Sequence, residues 1–229
     1  EQLISDYWGK VKNSFENLNQ LDAALWEGDT LYFFSGDQVI AYSDGLEQEE
    51  DFVNDGMPSR ISSEFANLPH ELKQGLDAAA KSIDGISSFF KDDQYVAIEE
   101  DGTVSEGMPL ENWGKVDMEI QTQGSVNAAF VGLDGRVYLF SDTQYVRYSG
   151  TNYNQVDEGY PRPISEDWGG LLSVDAAFVM DGKTYLFGLD QEERQVYVQF
   201  STNDYSEVDK NFPKEVSDNW WNLSFELVE

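Results

Sequence analysis

The stretch VNAAFVGLDGRVYLFSDTQYVRYS, residues 126–149, decides the fold because it holds three strand-like runs separated by two tight turns. Asp134 and Gly135 form a pair that favours the positive φ angles of a hairpin turn. Residues 141–143 provide the second turn, and the run QYVRY at 144–148 is rich in aromatic and β-branched side chains. The stretch therefore predicts a small antiparallel sheet.

The same pattern occurs four times along the 229 residues. Its copies begin near Leu21, Leu76, Val126 and Val174, and each begins with a short polar-then-alanine motif. A proline closes each copy, at Pro58, Pro109, Pro161 and Pro213, in steps of 51, 52 and 52 residues. A period of about fifty residues is typical of repeat architectures.

Each copy ends in an acidic octet that carries an aromatic residue. Trp113, Trp168 and Trp220 occupy this place in the last three copies, and Phe65 occupies it in the first. We expect these tryptophans to be structural and to pack a short helical turn against a blade. A related octet, ISDYWGKV, opens the chain, so residues 1–20 are either the tail of a preceding repeat in a longer protein or a lead-in helix that packs under the first blade.

Four small sheets cannot each bury both faces alone, but a radial arrangement packs them face against face. We therefore predict an all-β fold, a four-bladed β-propeller of antiparallel sheets in which each blade ends in a short outer helix. Residues 21–229 form the propeller. The blades span about 21–68, 76–116, 126–170 and 174–223.

The charge of the chain restricts its partners. It has 14 Lys and Arg residues against 44 Asp and Glu residues, a formal net charge of −30. Such a surface repels phosphate backbones and anionic lipids, which argues against nucleic-acid partners and favours cationic ligands. The alternative interpretation is that the charge serves solubility or adaptation to salt.

The residue inventory supplies little for conventional catalysis. The chain has no cysteine and one histidine, His70, so a disulfide framework, a thiol nucleophile and a multi-histidine metal site are excluded. His70 precedes a short predicted helix and is expected to be a surface or capping residue. No apolar stretch reaches the eighteen residues of a membrane span, and no signal peptide is visible.

The Asp-Ala-Ala starts, the Asp-Gly turn and the ending DEGYPRPISEDWGG together resemble hemopexin-like repeats, which form four-bladed propellers. The resemblance covers residues 21–223. Family members of the metalloprotease type clamp their first and last blades with a pair of cysteines. Because this chain has none, closure of its ring is expected to depend on packing.

The resemblance implies an ion in the central channel. The backbone carbonyl oxygens of the innermost strands would hold a cation, either calcium or sodium. A chloride ion would lie deeper in the channel. The upper ring would come from Asp22, Asp77, Asn127 and Asp175, and the lower ring from Ala24, Ala79, Ala129 and Ala177. The alternative is that the small residues mark tight packing around a water-filled channel.

The resemblance also implies a function in binding rather than catalysis. The first hypothesis is a secreted or extracellular recognition module, either by itself or as part of a larger secreted or virulence-associated protein, that presents loops to a protein or glycan partner. The second is a polyamine-binding protein of the seed-albumin type, with spermine as ligand. A carboxylate-based glycosidase at the channel mouth is a third. Haem transport is disfavoured, because the haem carrier of the family uses histidines between two propellers.

Overall fold

The structure is a computed structural model that describes residues 21–43, 54, 56–82, 85–99, 101–113, 126–150, 153 and 155–216. The opening octet within residues 1–20 and Trp220 lie outside these residues.

Each repeat forms one four-stranded antiparallel meander, in which neighbouring strands follow the order of the chain. The first blade consists of β1 (Ala23–Glu27), β2 (Thr30–Ser35), β3 (Gln38–Ser43) and β4 (Ser59–Arg60). The second consists of β5 (Ala78–Lys81), β6 (Ser87–Lys91), β7 (Gln94–Ile98) and β8 (Met108–Pro109). The third consists of β9 (Ala128–Val131), β10 (Val137–Ser141), β11 (Gln144–Tyr148) and β12 (Arg162–Pro163). The fourth consists of β13 (Ala176–Met180), β14 (Lys183–Leu189), β15 (Gln195–Phe200) and β16 (Lys214–Glu215).

The four innermost strands surround one axis. Strand β1 contacts β5, β5 contacts β9, β9 contacts β13, and β13 contacts β1, so the ring of blades is closed. The first alanine of each strand pairs with a phenylalanine of the second strand, as Ala23 does with Phe34 and Ala128 with Phe140. Alanine on the axial strand lets four backbones converge, while the ring opposite it fills the space between blades. The predicted four-bladed, all-β propeller is confirmed.

The hydrophobic core lies between blades. Four clusters of buried side chains each combine residues of two adjacent blades, including a cluster that joins the fourth blade to the first. In that cluster the rings of Phe33 and Phe178 lie 5.8 Å apart, edge to face. Within the described part of the chain, hydrophobic packing thus joins the fourth blade to the first.

Short helical segments follow the outermost strands. The first blade ends in α1 (Ile61–Glu64), the second in a 3-10 turn (Leu110–Trp113) and the third in α2 (Ile164–Asp167). The corresponding stretch of the fourth blade continues beyond residue 216, outside the described residues. A further 3-10 turn, Leu72–Gln74, connects the first two blades.

The outermost strand of each blade was not predicted from the sequence. In the third blade it is only Arg162–Pro163, which pairs with Gln144 and Tyr145 of β11. A two-residue strand that contains proline carries no alternating pattern, and proline is tolerated here because an edge strand can leave one side without ladder bonds. Within the described ranges, no helix has the length and apolarity to cross a membrane.

Candidate functional site

The structure brings the four predicted upper-ring residues to one mouth of the axial channel. Asp22, Asp77, Asn127 and Asp175 line a cavity of about 380 Å³ together with Lys91 and Asp92. Each of the four ring residues donates its backbone N–H to a phenylalanine carbonyl of the second strand of its own blade, at 2.8 to 3.0 Å. The sheets therefore fix these positions in the same way in every blade.

The side chains of three ring residues have a role that the sequence interpretation missed. Asp22 Oδ2 accepts the backbone N–H of Gly36, Asp77 Oδ2 accepts that of Asp92, and Asn127 Oδ1 accepts that of Asp142, each at 2.6 Å. These N–H groups belong to the tight turns between the second and third strands. Asparagine satisfies the turn as well as aspartate, because the bond needs only a side-chain oxygen at this distance.

The fourth blade departs from this rule. Ser173 Oγ, rather than the ring aspartate, accepts the backbone N–H of Leu189, at 3.3 Å. The same hydroxyl donates to Asp175 Oδ1, also at 3.3 Å. Asp175 thus carries a carboxylate that is not used by a turn, at the mouth of the channel.

The charges at the mouth are mostly negative. Burial, opposed by the hydrogen bond from Ser173 and aided by the nearby charge of Asp22, raises the pKa of Asp175 to about 6. Burial also raises the pKa of Asp22, aided by the charge of Asp77 and opposed by the Gly36 N–H. Lys91 Nζ donates to Asp77 Oδ1 at 2.9 Å, so the one cation among the cavity-lining residues is already paired.

The opposite end of the channel holds a smaller cavity. Ala24, Ala79, Ala129 and Ala177 line a cavity of about 200 Å³, together with the ring of Phe178. All four alanines are buried. The four alanines predicted as the lower ring therefore lie together at this end of the channel.

Beside this end, Glu27 of the first blade joins two residues of the second. Its carboxylate forms an ion pair with Lys81 and accepts a hydrogen bond from Ser87 Oγ at 2.5 Å. The pair lies between blades and is partly exposed, so we attribute to it a role in aligning the blades and only a small contribution to stability.

The described side chains at the mouth do not form a metal-binding cluster by themselves. Among the described residues, no cluster of three or more His, Asp or Glu side chains is arranged to hold a metal ion. A bound ion would therefore depend on backbone oxygens, with Asp175 as the carboxylate that no turn uses. Oxygen ligands of this kind suit calcium or sodium. His70 is exposed on the surface, away from the cavity-lining residues.

Comparisons with known proteins agree with this architecture. Residues 126–172 match the Hemopexin family model. Interstitial collagenase B of Mus musculus is 29% identical over 139 residues, which are 59% of this chain and 28% of the collagenase. Vitronectin of Oryctolagus cuniculus is 38% identical over 66 residues, or 28% of this chain and 13% of vitronectin. The chain thus spans less than a third of each of these relatives.

Solved plant structures share the fold over most of their length. The hemopexin fold protein CP4 from cow pea has a TM-score of 0.69 at 19% identity, covering 87% of this chain and 95% of its own. A plant albumin from Cicer arietinum, described as showing hemagglutination, has a TM-score of 0.70 at 18% identity, with 89% and 96% covered. A plant lectin with two metal binding sites from the same species has a TM-score of 0.68 at 18% identity, with 87% and 95% covered.

The four repeats and the closed ring of blades define a four-bladed β-propeller. Its third repeat matches the Hemopexin family model, and its four-bladed arrangement is that of its hemopexin-fold structural neighbours.

We expect the contribution of Asp175 to the stability of the metal-stripped protein to increase as the pH falls from 7 to 4. Its folded pKa of about 6 lies above the value of about 3.9 expected in the unfolded chain. The folded state therefore holds this proton more tightly, and the stabilisation is lost as the pH rises through 6. Asp175→Asn should raise the free energy of unfolding by about 2 kcal/mol at pH 7, and by little at pH 4, after allowing for solvent at the mouth.

Urea denaturation of the wild type and of Asp175→Asn at both pH values measures this difference. Asp29→Asn, at an exposed turn toward the other end of the channel, removes the same charge and is the matched control. An equal gain in both variants would show that the general negative charge, and not the buried carboxylate, is responsible.

Proposed function

We propose that this protein is a non-enzymatic binding module, in which the propeller holds a cation at its acidic channel mouth and presents its outer loops to a protein or glycan partner. The observation that carries the proposal is the convergence of three aspartates and an asparagine from four blades on one cavity, with Asp175 left without a turn to cap. A cation there would neutralise a carboxylate that burial otherwise disfavours.

The rigid frame supports the recognition part of the proposal. Every blade boundary is filled by a hydrophobic cluster, so the loops extend from a scaffold that changes little on binding. Two structural neighbours are described as a lectin with metal binding sites and as an albumin showing hemagglutination. As part of the proposal, we infer that this chain also binds glycans and that it is located outside the cell.

A polyamine such as spermine is the second candidate. The size of the cavity, about 380 Å³, favours it, because a single ion needs far less room. An ammonium group could lie against Asp175 and Asp22, while the rest of the chain extends over the acidic rim. Chloride in the lower part of the channel and a glycosidase activity remain predictions without further support.

Calorimetric titration of the metal-stripped protein with calcium, then with spermine, tests the channel part of the proposal. It should be performed at low and moderate salt while the melting temperature is followed. Saturable calcium binding at moderate salt should raise the melting temperature, and Asp175→Asn should weaken the binding while Asp29→Asn does not. Spermine binding that survives salt and displaces calcium would favour the second candidate.

Glycan-array binding and red-cell agglutination, each with calcium and with chelator, test the recognition part. Calcium stabilisation without glycan binding would restrict the partner to a protein. No saturable binding of calcium, sodium or spermine at any salt concentration would refute the cation site. Turnover of a chromogenic glycoside panel would refute the non-enzymatic assignment.

A further inference from the structure

The second blade lacks large side chains at a cross-strand row where the other blades have them. In the third blade this row is Phe130, Tyr138 and Arg147, each opposite the next across the sheet. In the fourth blade it is Phe178, Tyr185 and Gln199, and in the first it is Leu25, Tyr32 and Ala41. In the second blade the register places Ala80, Ser88 and Ala97 at the same positions.

The missing side chains leave a crevice between the second and third blades. It is a cavity of about 220 Å³ that these three small residues share with Val137 of the third blade and with an aromatic wall. For comparison, an engineered apolar cavity of about 150 Å³ is large enough to bind benzene. The crevice therefore has room for one aromatic ring with a short substituent.

The aromatic wall is held in place by contacts among its own rings and with Phe90, which does not line the crevice. Trp113 is buried, its ring lies 5.0 Å from that of Tyr153 in a stacked pair, and it meets Tyr95 edge to face at 5.6 Å. Phe90 contacts the same indole at 5.4 Å. Because these rings support each other, the wall cannot easily move inward to fill the space that the small residues leave.

Two oxygen-bearing side chains of the crevice have no partner within the described part of the chain. Ser88 is buried, and its hydroxyl forms no hydrogen bond there. Glu99 is exposed at the rim, and its carboxylate forms no ion pair with a described residue. A ligand in the crevice could provide a hydrogen-bond partner for the Ser88 hydroxyl.

We propose that this crevice binds a small aromatic amine, with its ring against the Trp113 wall and its ammonium group at Glu99. Ring contacts with tryptophan and tyrosine favour an aromatic ligand. The carboxylate at the rim and the net charge of −30 favour a cation over an anion. The site is separate from the upper channel mouth, with which it shares no lining residue.

Ligand-observed NMR and calorimetry with phenethylamine test the site, with phenethyl alcohol as its neutral counterpart and phenylacetate as its anionic one. We expect the amine to bind with a dissociation constant on the order of 0.1 to 1 mM, as befits so small a ligand. Glu99→Gln should weaken the amine about tenfold and leave the alcohol nearly unchanged. Calcium and spermine at the upper mouth should not displace it.

The decisive variant restores the row found in the fourth blade. Ala80→Phe combined with Ser88→Tyr should abolish amine binding while the protein stays folded, as judged by circular dichroism and melting temperature. Should that pair fail to fold, Ala80→Leu, which copies the first blade, should weaken binding about tenfold or more by filling part of the space. Absence of saturable amine binding in the wild type, or binding unchanged in a folded filled variant, would overturn the proposal.

Discussion

Trp168→Ala should lower the free energy of unfolding by about 3 to 5 kcal/mol, because it removes the centre of the cluster between the third and fourth blades. The indole is 1% exposed, and its ring contacts Phe130, Phe140 and Tyr145 of the third blade and Phe200 of the fourth. No neighbouring ring can fill the hole without leaving its own contacts. The melting temperature should fall by about 10 °C or more.

Trp168→Phe is the matched control, because Phe65 occupies the same place in the first repeat. The indole Nε1 is buried and has no hydrogen-bond partner among the described residues, so phenylalanine loses volume but no hydrogen bond. We expect Trp168→Phe to lower the free energy of unfolding by less than half as much as Trp168→Ala does. Urea denaturation with midpoint and slope for both variants checks this, and equal losses would mean that the site tolerates no ring other than indole.

Gly188→Ala should be nearly as damaging, with a loss of about 3 kcal/mol or more, because there is no space for a methyl group. A Cβ atom built on Gly188 would lie 1.9 Å from the backbone oxygen of Ser173. This oxygen belongs to the backbone of the fourth blade. A methyl group at residue 188 could therefore fit only if the segment before β13 moved away from β14. That movement would also displace Ser173 Oγ from the Leu189 N–H that it accepts.

Gly150→Ala provides the comparison, since a Cβ atom there would meet nothing within 4 Å. We expect its stability to change by less than about 0.5 kcal/mol. Because the Ser173 segment leads into Asp175, Gly188→Ala should also weaken calcium binding at the upper mouth. A stable Gly188→Ala protein with an unchanged melting temperature would show that the Ser173 segment yields easily.

The architecture was predictable because turn residues and alanines recur at corresponding positions of the repeats, even where the rest of the sequence differs. Asp134-Gly135 marked one hairpin, and Gly135 has the positive φ of 74° that such a turn requires. The steps between the closing prolines gave the number of blades. The ring positions Asp22, Asp77, Asn127 and Asp175 line one cavity, since equivalent residues of a radial repeat meet at the axis.

The chemistry of the mouth was less predictable, because it depends on one hydrogen bond per blade. Sequence spacing could not show that three ring side chains cap a turn in their own sheet while Asp175 does not. A partial signal existed, since the fourth repeat has Gly188 and Leu189 where the first has the tight turn at Ser35 and Gly36. The crevice beside Ala80 was not predicted from the sequence, because only the strand register shows which cross-strand side chains are small.

The contact between the last blade and the first has a consequence for how the chain reaches its native state. Phe33 and Phe178 touch across a separation of more than 140 residues, so this boundary forms only after the loop between them has been closed. Until then the first and fourth blades each leave one apolar face open to water, where it can associate with the same face of another chain. The four repeats are therefore one cooperative folding unit, and its completion has to wait for the last blade.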